Sequence, residues 1–439
     1  MRIRGKIGLT IRTSYCKNGY IILLLCCILS SCSTRVQNNP ASIQGHQTDS
    51  LIENILRQNP SAFSHLLNNR DSFRIQIIYT RIDRTRRNRP VFHHHYFNVN
   101  AHDYFYPAST VKLPVAVLAL QRLRELKKFG VDVNTSMITE AANDAQTPVY
   151  NDPESPDGRP TVGQYIRKIF LVSDNDAFNR LYELLGPDYI HDQLQLKGFT
   201  QSLILHRLSV SLTEQQNRET NPVRFLDDSL NLLYEKPYTV SHASYQPEKK
   251  LAGKGFIAGN QLINQPFDFT FKNSLPIAEL HGMMQQIMFP KSVSKKQRFS
   301  LEKKDYKFLR KYMSQYPRET AYPPYSDLSI PDGNGKFFYW GDEKQTLPEH
   351  LRIFNKVGGA YGFLTDASFV VDFDNSVEFL LTATIYCNKD EILNDDLYDY
   401  DSVGLPFMKN LGRAIYEHEL QRPKKRNAKL TVFRIEYDQ

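Results

Sequence analysis

Cysteine is scarce in this 439-residue chain, and four of its five copies fall at the start: Cys16, Cys26, Cys27 and Cys32. Only Cys387 remains beyond them, so a chain trimmed before Cys32 and modified there has no intrachain disulfide open to it. The apolar run Tyr20–Leu29 is too short to cross a bilayer comfortably. A strong charge imbalance is missing too. The formal charge is +8, but Arg2, Arg4, Lys6, Arg12 and Lys17 precede residue 32 with no acidic residue among them, which leaves +3. That balance gives no support to a nucleic-acid partner. No internal repeat or low-complexity tract is present. His93, His94 and His95 are adjacent on a strand-like run and point to alternate faces, and no distant Cys, His, Asp or Glu set completes a ligand spacing, so no metal is expected.

What the chain does have begins with a leader. A basic stretch followed by Tyr20–Leu29 reads as a signal segment over residues 1–31, and Leu29-Ser30-Ser31-Cys32 resembles a bacterial lipobox. The expectation is cleavage before Cys32, lipid on that thiol, and a location in the bacterial envelope, periplasmic or on the cell surface. An ordinary signal peptide or a retained leader is the plainer reading. Residues 32–50 are polar and aperiodic, as suits a flexible tether.

From residue 51 the composition, 41% hydrophobic and 12% aromatic over the whole chain, is that of a globular protein. "FRIQIIYT" and "VFHHHYFNV" predict a β-hairpin around a turn with Arg81, Arg84, Arg86, Arg87 and Arg89, which reads as a solvated loop. Helices are predicted at 109–128, at "TVGQYIRKIF" with a Thr161/Gln164 capping box, and at "NDAFNRLYELLG" ending on Gly186. Two more are predicted at "PIAELHGMMQQIMF" and "LEKKDYKFLRKYMSQY". Three β-runs, "LRIFNKV", "ASFVVDF" and "VEFLLTATIYC", precede a closing helix around "LPFMKNLGRAIYEHEL". Strands at both ends around a helical middle predict one α+β domain over 51–439, its five-stranded antiparallel sheet assembled from both termini. Residues 234–275 and 318–350 lack a clean period and read as insertions. Cys387, inside an apolar strand, reads as buried packing.

Three short motifs carry chemistry. A serine hydroxyl becomes a nucleophile when a neighbouring base takes its proton, and a lysine serves if desolvation or a second cation lowers its pKa. Ser109 and Lys112, three apart at the head of an apolar helix, share a face. Three other pairs have that spacing: Ser14/Lys17, Ser292/Lys295 and Ser300/Lys303. Only Ser109 follows an aromatic approach and a proline and opens a buried helix start, where free N–H groups would stabilise an oxyanion. The plain alternative is that Ser109 caps the helix while Lys112 snorkels to solvent. Ser173-Asp174-Asn175 lies between two helical segments, and Lys356-Val357-Gly358-Gly359 falls between two β-runs.

S-x-x-K, S-D-N and K-x-G in this order resemble the class A serine β-lactamases and their penicillin-binding, transpeptidase-like relatives. The likeness covers most of 51–425, and "DGRPTVGQYIRKIFLVSDNDAFNRLYELLG" resembles its family segment throughout. It implies that Ser109 is acylated, Lys112 is its base or proton relay, and Ser173 passes the proton toward the leaving nitrogen. Asn175 would hold the substrate amide, and Lys356 would keep Lys112 partly deprotonated and attract a carboxylate. The N–H groups of Ser109 and Gly359, beside Gly358, would form the oxyanion hole. Asp174 reads as structural. The implied substrate is a small-molecule or peptide amide, β-lactam or cell-wall in origin, and no metal or organic cofactor is implied.

Two departures bear on substrate and turnover. Val357 stands where the family has Thr or Ser, so a carboxylate-binding hydroxyl is missing. His206-Arg207-Leu208 resembles the start of the family's Ω-loop, and Arg218 and Pro222 its end. Between them the loop is short, and Glu214 with Asn217 falls one residue off the E-x-x-x-N spacing of the deacylating base. Glu219 lies where the family has a structural acid. The expectation is therefore a divergent, lipid-anchored serine hydrolase of β-lactamase type. The alternatives are a penicillin-binding peptidase that holds its acyl group, or a non-catalytic envelope binding protein on the same fold.

Overall fold

The computed structural model describes residues 45–322, 330–341 and 343–438. The leader, Cys32 and most of the expected tether lie outside the described residues, as does part of the second expected insertion. The described residues fall in one compact unit, Asn38–Gln439, which contains every strand pairing and all three apolar clusters and so holds a complete core of its own.

Two short helices, α1 (Ser50–Arg57) and α2 (Pro60–Asn68), lead into a hairpin of β1 (Gln76–Arg84) and β2 (Pro90–Phe97). The helical middle runs through α3 (Lys112–Leu126), α4 (Val162–Leu171), α5 (Asn175–Leu185), α6 (Pro187–Leu196), the short α7 (Glu214–Arg218), α8 (Ile277–Met288) and α9 (Lys303–Ser314). Then follow β3 (Leu351–Ala360), β4 (Phe363–Asp372), β5 (Val377–Tyr386) and the closing helix α10 (Leu405–Gln421). The sheet has the order β3-β4-β5-β1-β2 with every pairing antiparallel, so the two ends of the chain meet at β5 and β1, as the sequence predicts.

Strand periodicity decides which face each residue takes. On β5, Phe379, Leu381, Ala383 and Ile385 join Ile52 and Ile55 of α1 and Met408, Leu411 and Ile415 of α10. The even-numbered Leu380 joins the opposite cluster, with α3 and α8. From Leu113 to Leu120 helix α3 is apolar on all sides, and Val115 through Ala119 are fully buried, because this part runs through the centre of the helical layer.

Helix ends follow their capping residues. Thr161 accepts from Gln164 N at 3.0 Å, but the Gln164 amide goes to Glu154 O at 3.0 Å, so only half of the expected box forms. Helices α2 and α6 break the expected pattern as additional elements, each opened by a proline. The stretch near 234–275 is built of short strands, Leu232–Lys236, Leu251–Ala252, Gly255–Ala258, Gln261–Ile263 and Phe267–Asp268. Its Phe267 and Phe269 pack on Tyr361 in the β3–β4 turn, with ring centroids 5.6 and 5.2 Å away. The three adjacent histidines diverge: His93 meets Asp83 at 3.2 Å, His95 meets Asp49 at 3.3 Å, and His94 meets Thr80 at 2.7 Å. Cys387 is buried, which pushes its thiol well above the usual range.

Candidate functional site

The approach to Ser109 is a tight one. Pro107 O accepts from Thr110 N at 3.0 Å and Thr110 Oγ1 at 2.6 Å, and Ala108 takes a φ of 44°, which few non-glycine residues adopt. Ser109 lies in the 3₁₀ turn Ala108–Val111 that opens into α3, and its side chain does not cap the helix. Among the described residues its hydroxyl has no hydrogen-bond partner, and it is partly exposed. Lys112 does not snorkel. It is 0% exposed, and its Nζ donates to Ser173 O, to Ser173 Oγ at 3.2 Å and to Asn175 Oδ1 at 2.7 Å.

Ser173 sits between α4 and α5 with a φ of 56°, a conformation that turns its side chain into the space between two lysines. Its Oγ receives Lys356 Nζ at 2.9 Å as well as Lys112. Asp174 caps α5, accepting from Ala177 N at 2.7 Å, and lies 3.7 Å from Lys168 Nζ. Asn175 uses both ends of its amide, Oδ1 toward Lys112 and Nδ2 toward Ser209 Oγ at 2.7 Å.

The third element is the sheet edge. Lys356 and Gly358 are two apart on β3 and so share the face turned to Ser109. A methyl group on Gly358 would lie 2.5 Å from Pro107 O and 3.0 Å from Ser109 N, so glycine is required for this close approach. Gly359, next along, is exposed on the outermost strand. Ser109, Lys112, Ser173, Asn175, Lys356, Gly358 and Gly359 are thus brought together by three elements remote in sequence.

The electrostatics follow from burial. Lys112 is lowered to about 6, mainly by desolvation and next by the charge of Lys356, with Asp174 opposing. Lys356 is lowered to about 7 by desolvation, with Asp366 opposing. Two cations cannot easily share one dry site, so near neutral pH one amine gives up its proton. A neutral Lys112 keeps two N–H groups for Ser173 O and Asn175 Oδ1 and offers its lone pair to a hydroxyl.

Beneath β3 lies a network that the sequence reading missed. Lys336 is buried and donates to Met313 O at 2.6 Å and Asn355 Oδ1 at 2.7 Å. Asn355 donates to Asp366 Oδ1 at 3.0 Å, and Asp366 also accepts from the N–H groups of Phe337 and Phe338, each at 3.2 Å. Asp366 is the cross-strand neighbour of Val357 on β4, and burial pushes its carboxyl up to about 6. An aspartate in the apolar run "LTDASFVV" was a legible signal; Lys336, in an aperiodic stretch, had none.

The loop from 205 to 222 is held from within. Arg207 donates to Glu183 Oε1 at 2.8 Å, Gln216 O at 3.1 Å and Glu219 O at 2.8 Å, and its N–H reaches Asn217 Oδ1 at 2.9 Å. Glu214 is 53% exposed and paired with Arg218 at 2.8 Å. Glu219 accepts from Asn143 at 3.0 Å and Gln215 at 2.9 Å. Neither carboxylate shares a partner with Ser109, Lys112 or Ser173. The loop's cavity, about 230 Å³ and lined by Tyr182, His206, Leu212 and Lys272, is bounded by residues 205–218 and 245–272 and includes none of the three motifs.

Residues 83–239 match the model of the beta-lactamase enzyme family, a span that contains the S-x-x-K and S-D-N elements. Over that span, 157 of its 439 residues, the chain is similar to the β-lactamase enzyme family. Similar solved structures include a β-lactamase of Sphaerobacter thermophilus, 14% identical, which aligns over 83% of this chain and 99% of its own with a TM-score of 0.44. A class A β-lactamase of Clostridium kluyveri, 15% identical, aligns over 82% of this chain and 98% of its own with a TM-score of 0.44. The protein PBP-A, 16% identical, aligns over 83% of this chain and 95% of its own with a TM-score of 0.42. No curated protein sequence matches the chain.

Proposed function

We propose that this β-lactamase-like chain is a serine hydrolase that acylates Ser109 with an amide substrate, a β-lactam or related cell-wall peptide. On this reading lipid on Cys32 holds it at the bacterial envelope, periplasmic or cell-surface. The observation that carries the reading is the position of Ser173 Oγ, 3.2 Å from Lys112 Nζ and 2.9 Å from Lys356 Nζ, with Lys112 one helical turn after Ser109, whose hydroxyl is unengaged.

In the proposed sequence neutral Lys112 takes the Ser109 proton as Oγ attacks the carbonyl. The developing oxyanion is received by the N–H groups of Ser109 and Gly359, a kind of contact whose loss costs about 10²–10³ in rate. The tetrahedral species collapses, the C–N bond breaks, and Ser173 delivers its proton to the leaving nitrogen, to be re-protonated from Lys112. Charged Lys356 stabilises the amine form of Lys112 and draws an anionic substrate. Asn175, whose Nδ2 has a second proton beyond the one given to Ser209, orients the substrate amide.

A second reading is favoured by the loop. Glu214 and Glu219 are engaged with Arg218, Gln215 and Asn143, so hydrolysis of the acyl group lacks the base that the family uses. That supports a penicillin-binding type, in which acylation outlasts turnover. Incubation with a chromogenic cephalosporin and a fluorescent penicillin separates the readings. Turnover lost in Ser109→Ala supports the β-lactamase, and a lasting Ser109-dependent label supports the penicillin-binding type. If neither appears and a fluorophosphonate also fails to label Ser109, the enzyme reading falls and the non-catalytic binding protein stands.

A further inference from the structure

The turn between β1 and β2 and the segment after α10 are more than 330 residues apart in sequence and meet through one side chain. Asn88 Nδ2 donates to Asn427 O, and Lys429 N donates to Asn88 Oδ1, both at 3.1 Å. This joins Arg86, Arg87 and Arg89 to Lys425, Arg426 and Lys429, all six exposed. None has an acidic partner among the described residues. The neighbouring carboxylates are already committed: Asp83 to Arg422 at 2.9 Å, Glu378 to Arg84, and Glu419 to Arg422 at 2.7 Å. Six uncompensated cations on one small surface stand out against a net charge of only +3 beyond the leader.

We infer that this basic surface docks on an anionic lipid bilayer and orients the domain there. The patch lies at the Arg84–Pro90 end of the sheet, whereas Gly359 and the end of β2 at Phe97 lie at the other. Eight residues of β2 place these ends about 25 Å apart. With the patch on the bilayer the Ser109 site, beside Gly358, therefore faces away from it, toward polymeric or soluble substrates. The described chain enters the domain at the Ser109 end of the sheet, where His46–Gln47 pairs with Val99–Asn100. The inference does not depend on the catalytic reading.

The test uses the chain from residue 38 onward, which lacks Cys32 and the leader, sedimented with vesicles of phosphatidylcholine alone or with about a third phosphatidylglycerol. Binding is expected only to the anionic vesicles and is lost on raising salt. Each Arg or Lys removed weakens it about five-fold. A variant with all six changed to Gln binds at least a hundred-fold more weakly, while one with Lys295, Lys296, Lys304 and Lys307 changed to Gln is unaffected. Should the six-fold variant fail to fold, Arg86→Gln with Arg87→Gln, both in a solvated turn, is expected to weaken binding about 25-fold. Equal loss in the control variant, no binding to anionic vesicles, or binding to a nucleic acid or polyphosphate in preference to vesicles overturns the inference.

Discussion

Replacing Lys112 with methionine is expected to make the protein more stable at neutral pH while removing the amine on which the proposed chemistry rests. The side chain is 0% exposed, and its pKa falls from 10.5 to about 6, through burial first and the charge of Lys356 second. A lysine depressed in this way penalises folding most below its folded pKa, and the penalty fades as pH rises toward the unfolded value. At pH 7 the distance to the unfolded value amounts to about 5 kcal/mol. Against this stand three hydrogen bonds, to Ser173 O, Ser173 Oγ and Asn175 Oδ1, worth about 1 kcal/mol each. Methionine keeps the packing, so Lys112→Met should be about 2 kcal/mol more stable than the parent at pH 7. Well above pH 10 the unfolded lysine is neutral too, and the variant should be less stable by about 3 kcal/mol. Urea unfolding of both proteins across that range reads the difference directly. A difference that stays flat with pH, or a variant already destabilised at pH 7, would refute the desolvation argument.

Other outcomes follow from the same geometry. Acylation by a fluorescent penicillin should rise as Lys112 loses its proton near pH 6 and fall as Lys356 loses its own near pH 7, and Lys356→Met should move the acid limb upward, since Lys356 lowers Lys112. Gly358→Ala, whose methyl would meet Pro107 O at 2.5 Å, should slow acylation about a hundred-fold or more by moving the Ser109 N–H; a rate within a few-fold of the parent contradicts the close approach. Glu214→Gln should leave deacylation unchanged within two-fold, because that carboxylate is paired with Arg218 in solvent; a stalled acyl-enzyme would show that Glu214 reaches the site. Arg207→Met leaves the carbonyls of Gln216 and Glu219 without their donor and should cost about 3 kcal/mol in urea unfolding, with cleavage by protease at 205–222.

The sheet and the helical middle were legible because their periods differ. The apolar run "VEFLLTATIYC" and the apolar first half of α3 leave few other places to go, and the two ends of the chain had to share one sheet. The motif residues were legible as patterns, although spacing alone did not separate Ser109/Lys112 from the three other S-x-x-K pairs. What the sequence did not carry was long-range company. Lys336 and Asp366 are ordinary residues until β3 is placed between them. Asn88 reads as one more turn residue until the chain's end folds onto it, and so an arginine-rich turn that reads as a solvated loop becomes half of a basic surface. Helices α2 and α6 were not among the predicted elements, although Pro60 and Pro187 at their first positions are helix-start signals. The capping box formed by half: Gln164 Nε2 is turned to Glu154 O, and its Oε1, the atom that would receive the Thr161 N–H, has no partner among the described residues.

The central claim is that Ser109 is the acylated residue. Intact-mass analysis after exposure to penicillin G, followed by mapping of the peptide that contains residues 104–126, tests it most directly. The account predicts one adduct per chain, located on Ser109, absent from Ser109→Ala and formed far more slowly in Lys112→Met. An adduct on Ser173, or one that survives in Ser109→Ala, would contradict it.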